Sequence, residues 1–169
     1  ESLAKHAALR RLRLRGTAIT DAAMRVLAKL PQLSDLDISE TAVGDAGMEA
    51  LSEAKALTKL NLWSTQVTDA GLAHLGKMTQ LTWLNLDNTK VTDAGLSHLA
   101  SLQALEFLHL GRTAITDGGL KPLAELKRLR TLHVTRTPVT DVGVEVLRQA
   151  LPDCELVTRV PEDAPPGKP

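Results

Sequence analysis

Hydrophobic and polar positions along the chain repeat with a period of 24 residues. We number each period from a leucine, and the in-phase leucines are Leu9, Leu33, Leu57, Leu81, Leu105 and Leu129. Positions 4, 6, 11, 16 and 19 are aliphatic in all six periods, while position 9 is always threonine and position 13 always aspartate. Self-similarity at a fixed period is the signature of repeat architectures. The pattern therefore predicts six full repeats, or coils, over residues 9–152.

Within each coil the spacing of apolar residues changes. Positions 4 and 6 alternate as in a short strand with one buried face, whereas positions 16, 19 and 22 follow helical spacing. Thr92 and Asp93, at positions 12 and 13, are typical of a helix start, because the hydroxyl accepts backbone N–H groups and the carboxylate suits the positive helix end. Pro122 should shorten or kink the fifth helix.

Glycine occupies position 15 in five coils, and Ala23 replaces it in the first. Glycine in a first helical turn costs about 1 kcal/mol relative to alanine. We interpret this glycine as room for the close passage of the neighbouring coil. A single coil buries too few aliphatic side chains to offset the entropy of ordering it, so the coils must stack. One strand per coil then builds a parallel sheet.

The motif L-x-x-L-x-L-x-x-T-x-[IV]-T-D-x-G-[LMV]-x-x-L extends from residue 9 to about residue 151. It resembles the leucine-rich repeat, above all the 24-residue bacterial form, which is also similar to the repeats of F-box adaptor proteins. The resemblance implies an α/β fold: a right-handed solenoid with a parallel sheet on its concave face and helices on its convex face. The family usually places Asn or Cys at position 9, where the side chain bonds backbone along a ladder of coils. We expect the threonine hydroxyl to keep that ladder.

The ends of the chain depart from the repeat. Leu3 is in phase with position 19, so residues 1–8 are interpreted as the tail of an earlier coil. Residues 154–157 are predicted to form a closing partial strand. We expect one leucine-rich-repeat domain over residues 1–160, followed by a disordered, proline-rich tail over 161–169.

Composition excludes several function classes. Twenty basic residues balance twenty acidic ones, which argues against binding to nucleic acid or anionic membranes. The single cysteine, Cys154, excludes a disulfide framework, and no apolar run approaches the length of a membrane span. The chain also has no cysteine-clustered cap of the kind found on secreted repeat proteins, which favours a cytoplasmic location, although no targeting segment fixes the compartment.

The residues offer little for catalysis. His109 and His133 are predicted to be neighbours on adjacent strands, but a metal site needs more ligands than these two. Cys154 is better explained as a small buried apolar residue than as a nucleophile. We therefore expect no enzyme activity, no metal and no cofactor.

Aromatic residues make up only 2% of the chain, and Trp63, Trp83 and Phe107 account for all of them. All three fall at positions 3 and 7, which together with position 5 point away from the core into the concave face. Exposed aromatic clusters usually mark contact surfaces. The alternative is that Trp83 and Phe107 merely pack on each other to cover a polar sheet.

The same face carries candidate polar contacts. An amide- and carboxylate-lined floor with adjacent histidines is predicted from Asn61, Asn85, Asp87, His109 and His133. Arg112 and Arg136, both at position 8, rim one end and could grip an acidic partner. At the other end Arg11 should face Asp35, Asp35 should face Lys59, and Arg13 should face Asp37. These pairs are explained most simply as mutual support between strands, with partner steering as the alternative.

The sequence thus predicts a monomeric, non-catalytic recognition module that binds a protein or peptide on its concave face. Two alternatives remain open. The first is a carbohydrate or small-ligand site in the same aromatic groove. The second is a structural spacer within a larger protein.

Overall fold

Seven short parallel strands form one sheet in chain order, with residues 24 positions apart paired in register. The computed structural model describes residues 6–159, so Leu3 and the predicted tail at 161–169 lie outside the described residues. The strands are β1 (Arg11–Arg13), β2 (Asp35–Asp37), β3 (Lys59–Asn61), β4 (Trp83–Asn85), β5 (Phe107–His109), β6 (Thr131–His133) and β7 (Glu155–Val157). The last of these confirms the predicted closing strand.

One helix follows each of the first six strands and begins at the aspartate of position 13. The helices are α1 (Asp21–Leu27), α2 (Asp45–Leu51), α3 (Asp69–Leu75), α4 (Asp93–Leu96), α5 (Asp117–Leu120) and α6 (Asp141–Ala150). Helices α4 and α5 are a single turn long and continue as 3₁₀ segments, Ser97–Ser101 and Lys121–Glu125. Pro122 lies near the start of the second segment, which confirms the predicted shortening. Coil 4 shortens in the same way without a proline.

The leucines of positions 1, 4 and 6 form a continuous core between the sheet and the helices. Leu60, Leu84 and Leu108 are fully buried, whereas Leu12 and Leu156, on the first and last strands, are only partly buried. Burial of these stacked side chains stabilises the fold. The predicted α/β leucine-rich-repeat solenoid is confirmed. Among residues 6–159 no helix has the length and apolar character needed to cross a membrane.

Adjacent coils are joined by an Asp–Thr ladder, which we define as the bonds from position 13 of one coil to position 12 of the next. In coils 2 and 3 the Asp45 carboxylate accepts hydrogen bonds from the backbone N–H (2.8 Å) and hydroxyl (2.7 Å) of Thr68. The Thr68 hydroxyl accepts in turn from the N–H of Ala70, capping α3. The predicted threonine cap is confirmed here. Asp45 lies in the first turn of α2, as predicted, and its carboxylate also accepts hydrogen bonds from the next coil.

The glycine of position 15 makes the ladder possible. A Cβ atom added to Gly71 would lie 2.5 Å from Oδ1 of Asp45 and 2.9 Å from Cγ1 of Val67. Either distance is too short for a non-bonded contact. The glycine is therefore room for the preceding coil, as predicted.

The predicted ladder at position 9 is wrong. Each threonine hydroxyl in the six described coils donates to the carbonyl oxygen three residues earlier in its own coil, as from Thr65 to Leu62 at 2.7 Å. The hydroxyl has one proton and a short side chain, and the nearby carbonyl takes that proton. The side-chain ladder between coils instead comes from aspartate and threonine at positions 13 and 12.

Position 8 turns the chain sharply after each strand. Its φ angle lies between 51° and 67° in all six coils, although only Gly16 is a glycine. In the first five coils the backbone N–H group at this position donates to a carbonyl oxygen of the next coil, as from Ser64 to Asp87 at 3.0 Å. The left-handed turn places the position 8 side chains, including those of Arg112 and Arg136, at the rim of the concave face.

Candidate functional site

Four rings form a continuous aromatic cluster on the concave face, which we define as Trp83, Phe107, His133 and His109. The Trp83 and Phe107 rings are stacked, with centroids 4.9 Å apart and planes 5° from parallel. The ring centroid of His133 lies 5.4 Å from that of Phe107 and 4.5 Å from that of His109. All four side chains are half-buried. The predicted neighbours on β4, β5 and β6 are thus brought together.

Trp63 is not part of this cluster. The Arg15 guanidinium carbon lies 4.6 Å from the Trp63 ring centroid, and that of Arg112 lies 5.9 Å from it. Both distances are within cation–π range. The indole nitrogen is buried without a hydrogen-bond partner in the described part of the chain. Trp63, predicted to lie on the concave face with the other two aromatic residues, therefore carries an indole partly covered by two arginines.

The polar residues of position 5 mainly serve the backbone. Asn61 and Asn85 accept the N–H group two residues later through Oδ1, at 3.1 and 2.9 Å, and Nδ1 of His109 accepts that of Gly111 at 3.1 Å. An amide or imidazole here satisfies a backbone donor where the strand ends. Asn85 is only 3% exposed, so it supports the floor of the face from below.

Asp87 is also buried, at 4% exposure. Its carboxylate accepts a hydrogen bond from Nε of Arg112 at 2.9 Å and a second from Nη2 of the same guanidinium. A bidentate pair of this kind is the strongest geometry for an arginine–carboxylate ion pair. Arg112 is thus occupied within the face. Arg136 is exposed and makes no ion pair with any residue between 6 and 159.

The two histidines are uncharged at neutral pH. Burial lowers the pKa of His109 to about 4, although the nearby Asp87 carboxylate opposes the shift. An Nδ1 that accepts a hydrogen bond cannot carry a proton, which agrees with this direction. Burial likewise lowers the pKa of His133. The aromatic cluster therefore presents a neutral surface.

A charged hollow of about 260 Å³ adjoins Trp83 and was not anticipated from the sequence. Its lining consists of Arg11, Arg13, Asp35, Lys59, Asn61 and Trp83. The predicted pairs Arg11–Asp35 (2.8 Å) and Arg13–Asp37 (3.3 Å) are confirmed. Lys59 lies beside Asp35 in register, yet no carboxylate of the described residues comes within 4.0 Å of its ammonium group. The sequence signal that could have predicted this hollow is the placement of three cations around a single carboxylate next to a tryptophan.

The chemistry of the remaining candidates is limited. Within residues 6–159 no three His, Cys, Asp or Glu side chains are grouped to hold a metal ion. Cys154 is buried, as predicted, and burial raises the pKa of its thiol to about 11. A protonated thiol is a poor nucleophile at neutral pH.

Repeated coils, a single parallel sheet and an exposed sheet face define a solenoid repeat protein. A family model described as Leucine Rich repeat matches residues 30–52, 101–124 and 127–147. The chain is a leucine-rich-repeat protein. Leucine-rich-repeat proteins are generally non-catalytic modules that bind other proteins, and the match supports such an interaction role in general terms.

Two solved structures from Listeria monocytogenes share the fold. Internalin C2 is 22% identical with a TM-score of 0.64, and the alignment covers 93% of this chain and 83% of that one. Internalin F is 18% identical with a TM-score of 0.54; the alignment covers 95% of this chain but only 57% of the internalin. A search of curated protein sequences found no match. At these identities the likeness concerns the fold alone.

Proposed function

We propose that the protein binds a protein or peptide partner through its concave face, with the aromatic cluster as the anchor. The stacked Trp83–Phe107 pair is the observation that carries the proposal. Rigid aromatic side chains contribute large contact area at a low entropic cost, and they dominate the energetics of many interfaces.

The fold itself does not require these two rings. On all five of the remaining strands position 3 holds a charged or polar residue, and the strands pair in the same register throughout. The position 3 residues on those strands are Arg11, Asp35, Lys59, Thr131 and Glu155. Since the repeat tolerates such residues at this position, the aromatic pair is explained better by recognition than by coil packing.

The surrounding residues divide into contacts and supports. Asn61, His133 and Arg136 are at least partly exposed and are proposed to touch the partner beside the rings. Asn85, Asp87 and Arg112 are proposed to hold the floor of the face, because their polar atoms already bond within the chain. Trp63 and His109 contribute through their exposed portions only.

The carbohydrate alternative is supported less well by these contacts. Sugars are bound by polar groups that are free to pair with ring hydroxyls. On this face the Asn85 and Asp87 side chains are buried, and the Oδ1 atom of Asn61 and Nδ1 of His109 already accept backbone N–H groups. The spacer alternative leaves the half-exposed aromatic pair without a role.

The test uses the Trp83→Ala/Phe107→Ala double variant. Random peptides displayed on phage are selected against the wild-type protein, and one selected peptide is then synthesised for affinity measurement. We expect the double variant to bind that peptide at least about thirtyfold more weakly while keeping a cooperative thermal transition.

The matched control is Val142→Ala/Val146→Ala on α6, which removes two exposed apolar side chains (73% and 65% exposed) from another surface. It should leave the affinity unchanged. Selected peptides that bind the aromatic double variant as well as the wild type would contradict the proposal. Binding to a glycan array with no selectable peptide would favour the carbohydrate alternative.

A further inference from the structure

We infer that the partner inserts an Asp or Glu side chain into the hollow beside Trp83, together with an apolar or aromatic side chain over the Trp83–Phe107 stack. This inference rests on the proposed function and specifies the chemistry of the partner. It follows from the charges, register and hydrogen-bond donors around the hollow.

The cations of the hollow outnumber its carboxylates. Arg11, Arg13 and Lys59 line it with Asp35 as the single acid. Arg11 forms an ion pair with Asp35 at 2.8 Å. Arg13 forms ion pairs with Asp37 at 3.3 Å and with Asp35 at 3.9 Å. Asp37 is buried, at 7% exposure. Even with Asp37 included, three cations meet two carboxylates, so one positive charge remains uncompensated.

That charge is located at Lys59. Its side chain is exposed, and none of the ion pairs in the described part of the chain includes it. Arg11 and Arg13 face the same hollow with side chains 67% and 58% exposed. A carboxylate entering here would meet an ammonium group in a recess lined by two further cations, where charge complementarity favours an acidic group over a basic one.

Asn61 supplies a neutral donor to the same hollow. Its Oδ1 atom is occupied by the backbone N–H of Trp63. Its Nδ2 group makes no hydrogen bond to any residue in the range 6–159. An amide N–H₂ can only donate, and a carboxylate can only accept. The donor therefore matches the anion that Lys59 attracts.

The register sets the spacing of the partner's side chains. Lys59, Trp83 and Phe107 are direct partners on three successive strands. Neighbouring strands are about 4.8 Å apart, so Lys59 and Phe107 are separated by about 10 Å across the sheet. An extended peptide covers about 3.3 Å per residue. A peptide crossing the strands would thus carry its acidic residue two or three positions from its apolar one, with the acid towards β1.

The experiment compares peptide selections on the wild type, Lys59→Glu and Lys77→Glu. Lys77 is an exposed lysine that follows α3, away from the concave face, and serves as the charge-matched control. We expect peptides selected on the wild type and on Lys77→Glu to be enriched about twofold or more in Asp and Glu over the unselected library. Peptides selected on Lys59→Glu should lose that enrichment.

A synthetic peptide from the wild-type selection gives the second measurement. Its affinity should fall about tenfold with Lys59→Glu, less with Lys59→Gln, and not at all with Lys77→Glu. Replacing the peptide's acid by its amide should abolish the difference between the wild type and Lys59→Glu. Thermal melting of each variant verifies folding. If the reversed charge of Lys59→Glu disturbs the fold, Lys59→Gln replaces it in the affinity measurement.

Two results would overturn the inference in distinguishable ways. Peptides that need Trp83 and Phe107 but show neither acidic enrichment nor sensitivity to Lys59→Glu would exclude an acidic partner and leave the proposed function standing. Failure to select any peptide that depends on the aromatic pair would overturn both proposals.

Discussion

The guanidinium of Arg112 closes over the buried carboxylate of Asp87, which lies one coil earlier on the concave face. The left-handed turn at Arg112, with φ of 51°, sets the backbone from which the side chain reaches back. This ion pair couples the loops that follow β4 and β5, directly beside the aromatic cluster. It makes Arg112 a support of the face, whereas Arg136 has the same turn and no such acid.

Replacing each arginine by glycine should therefore give opposite results. Arg112→Gly leaves the Asp87 carboxylate buried and unpaired, which should lower the free energy of unfolding by roughly 2–4 kcal/mol. Arg136→Gly only relieves the left-handed backbone, so stability should stay level or rise by up to about 1 kcal/mol. Urea denaturation of the two variants measures both changes. Equal destabilisation would show that the Asp87 pair adds nothing.

Adding a methyl group at position 15 should break the Asp–Thr ladder. Gly71→Ala places Cβ within 2.5 Å of the Asp45 carboxylate, so we expect a loss of about 2–3 kcal/mol in unfolding free energy. Gly118→Ala is the control, because its Cβ would have no neighbour closer than 3.3 Å. Four other coils carry alanine at that position. The control should gain up to about 1 kcal/mol from helix propensity. Chemical denaturation should rank Gly118→Ala at or above the wild type in unfolding free energy, and Gly71→Ala below both.

The ladder bond between Asp45 and Thr68 should show energetic coupling. A double-mutant cycle with Asp45→Asn and Thr68→Val should give an interaction free energy of about 1 kcal/mol, because the carboxylate accepts the hydroxyl at 2.7 Å. Asp141→Asn in the last full coil is the control. No side-chain hydrogen bond of Asp141 appears among residues 6–159, so its substitution should change stability by less than about 0.5 kcal/mol.

Stability should fall as the solution is acidified from pH 6.5 towards pH 4. Burial lowers the pKa of His109 from 6.5 to about 4 in the folded protein, so the unfolded chain binds the proton more readily over this range. By linkage, the His109 contribution is fully present above pH 6.5 and is lost as the pH falls, by at most about 3 kcal/mol. The lowered pKa of His133 acts in the same direction.

His109→Asn tests this assignment. Asparagine occupies the same position at Asn61 and Asn85, where it accepts the equivalent backbone N–H. The variant should fold and should show a shallower loss of unfolding free energy between pH 6.5 and pH 4. Urea denaturation across this pH series provides the measurement. An unchanged slope would assign the pH dependence to other groups.

The repeating features of the fold were predictable because each is enforced in every coil. The strand register, the helix starts at position 13 and the role of Gly71 all follow from residues that recur with the period. The fate of Thr65 was not predictable from type alone, since its hydroxyl can bond within or between coils. The carbonyl of Leu62, three residues away, is the nearer acceptor.

The candidate site depends on residues that occur once, and there the sequence is less informative. Adjacency of Trp83 and Phe107 followed from register, but the burial of Asp87 depends on the reach and direction of the Arg112 side chain. The loss of the expected Lys59–Asp35 pair has a similar cause. Arg11, on the other flanking strand, binds Asp35 through Nε. Side-chain geometry decides whether Arg11 or Lys59 pairs with Asp35, and the 24-residue period does not encode that geometry.

The Asp–Thr ladder also bears on how such a chain can change length. Every described junction from the Asp21–Gly44 contact to the Asp117–Thr140 contact uses the same position pair, 23 residues apart. A tandem duplication of 24 codons would therefore insert a coil whose two new junctions are already compatible. Growth or shrinkage by whole units would alter how many strands face a ligand without requiring new contacts, whereas a single-codon insertion would change the 23-residue spacing of the junction in which it falls.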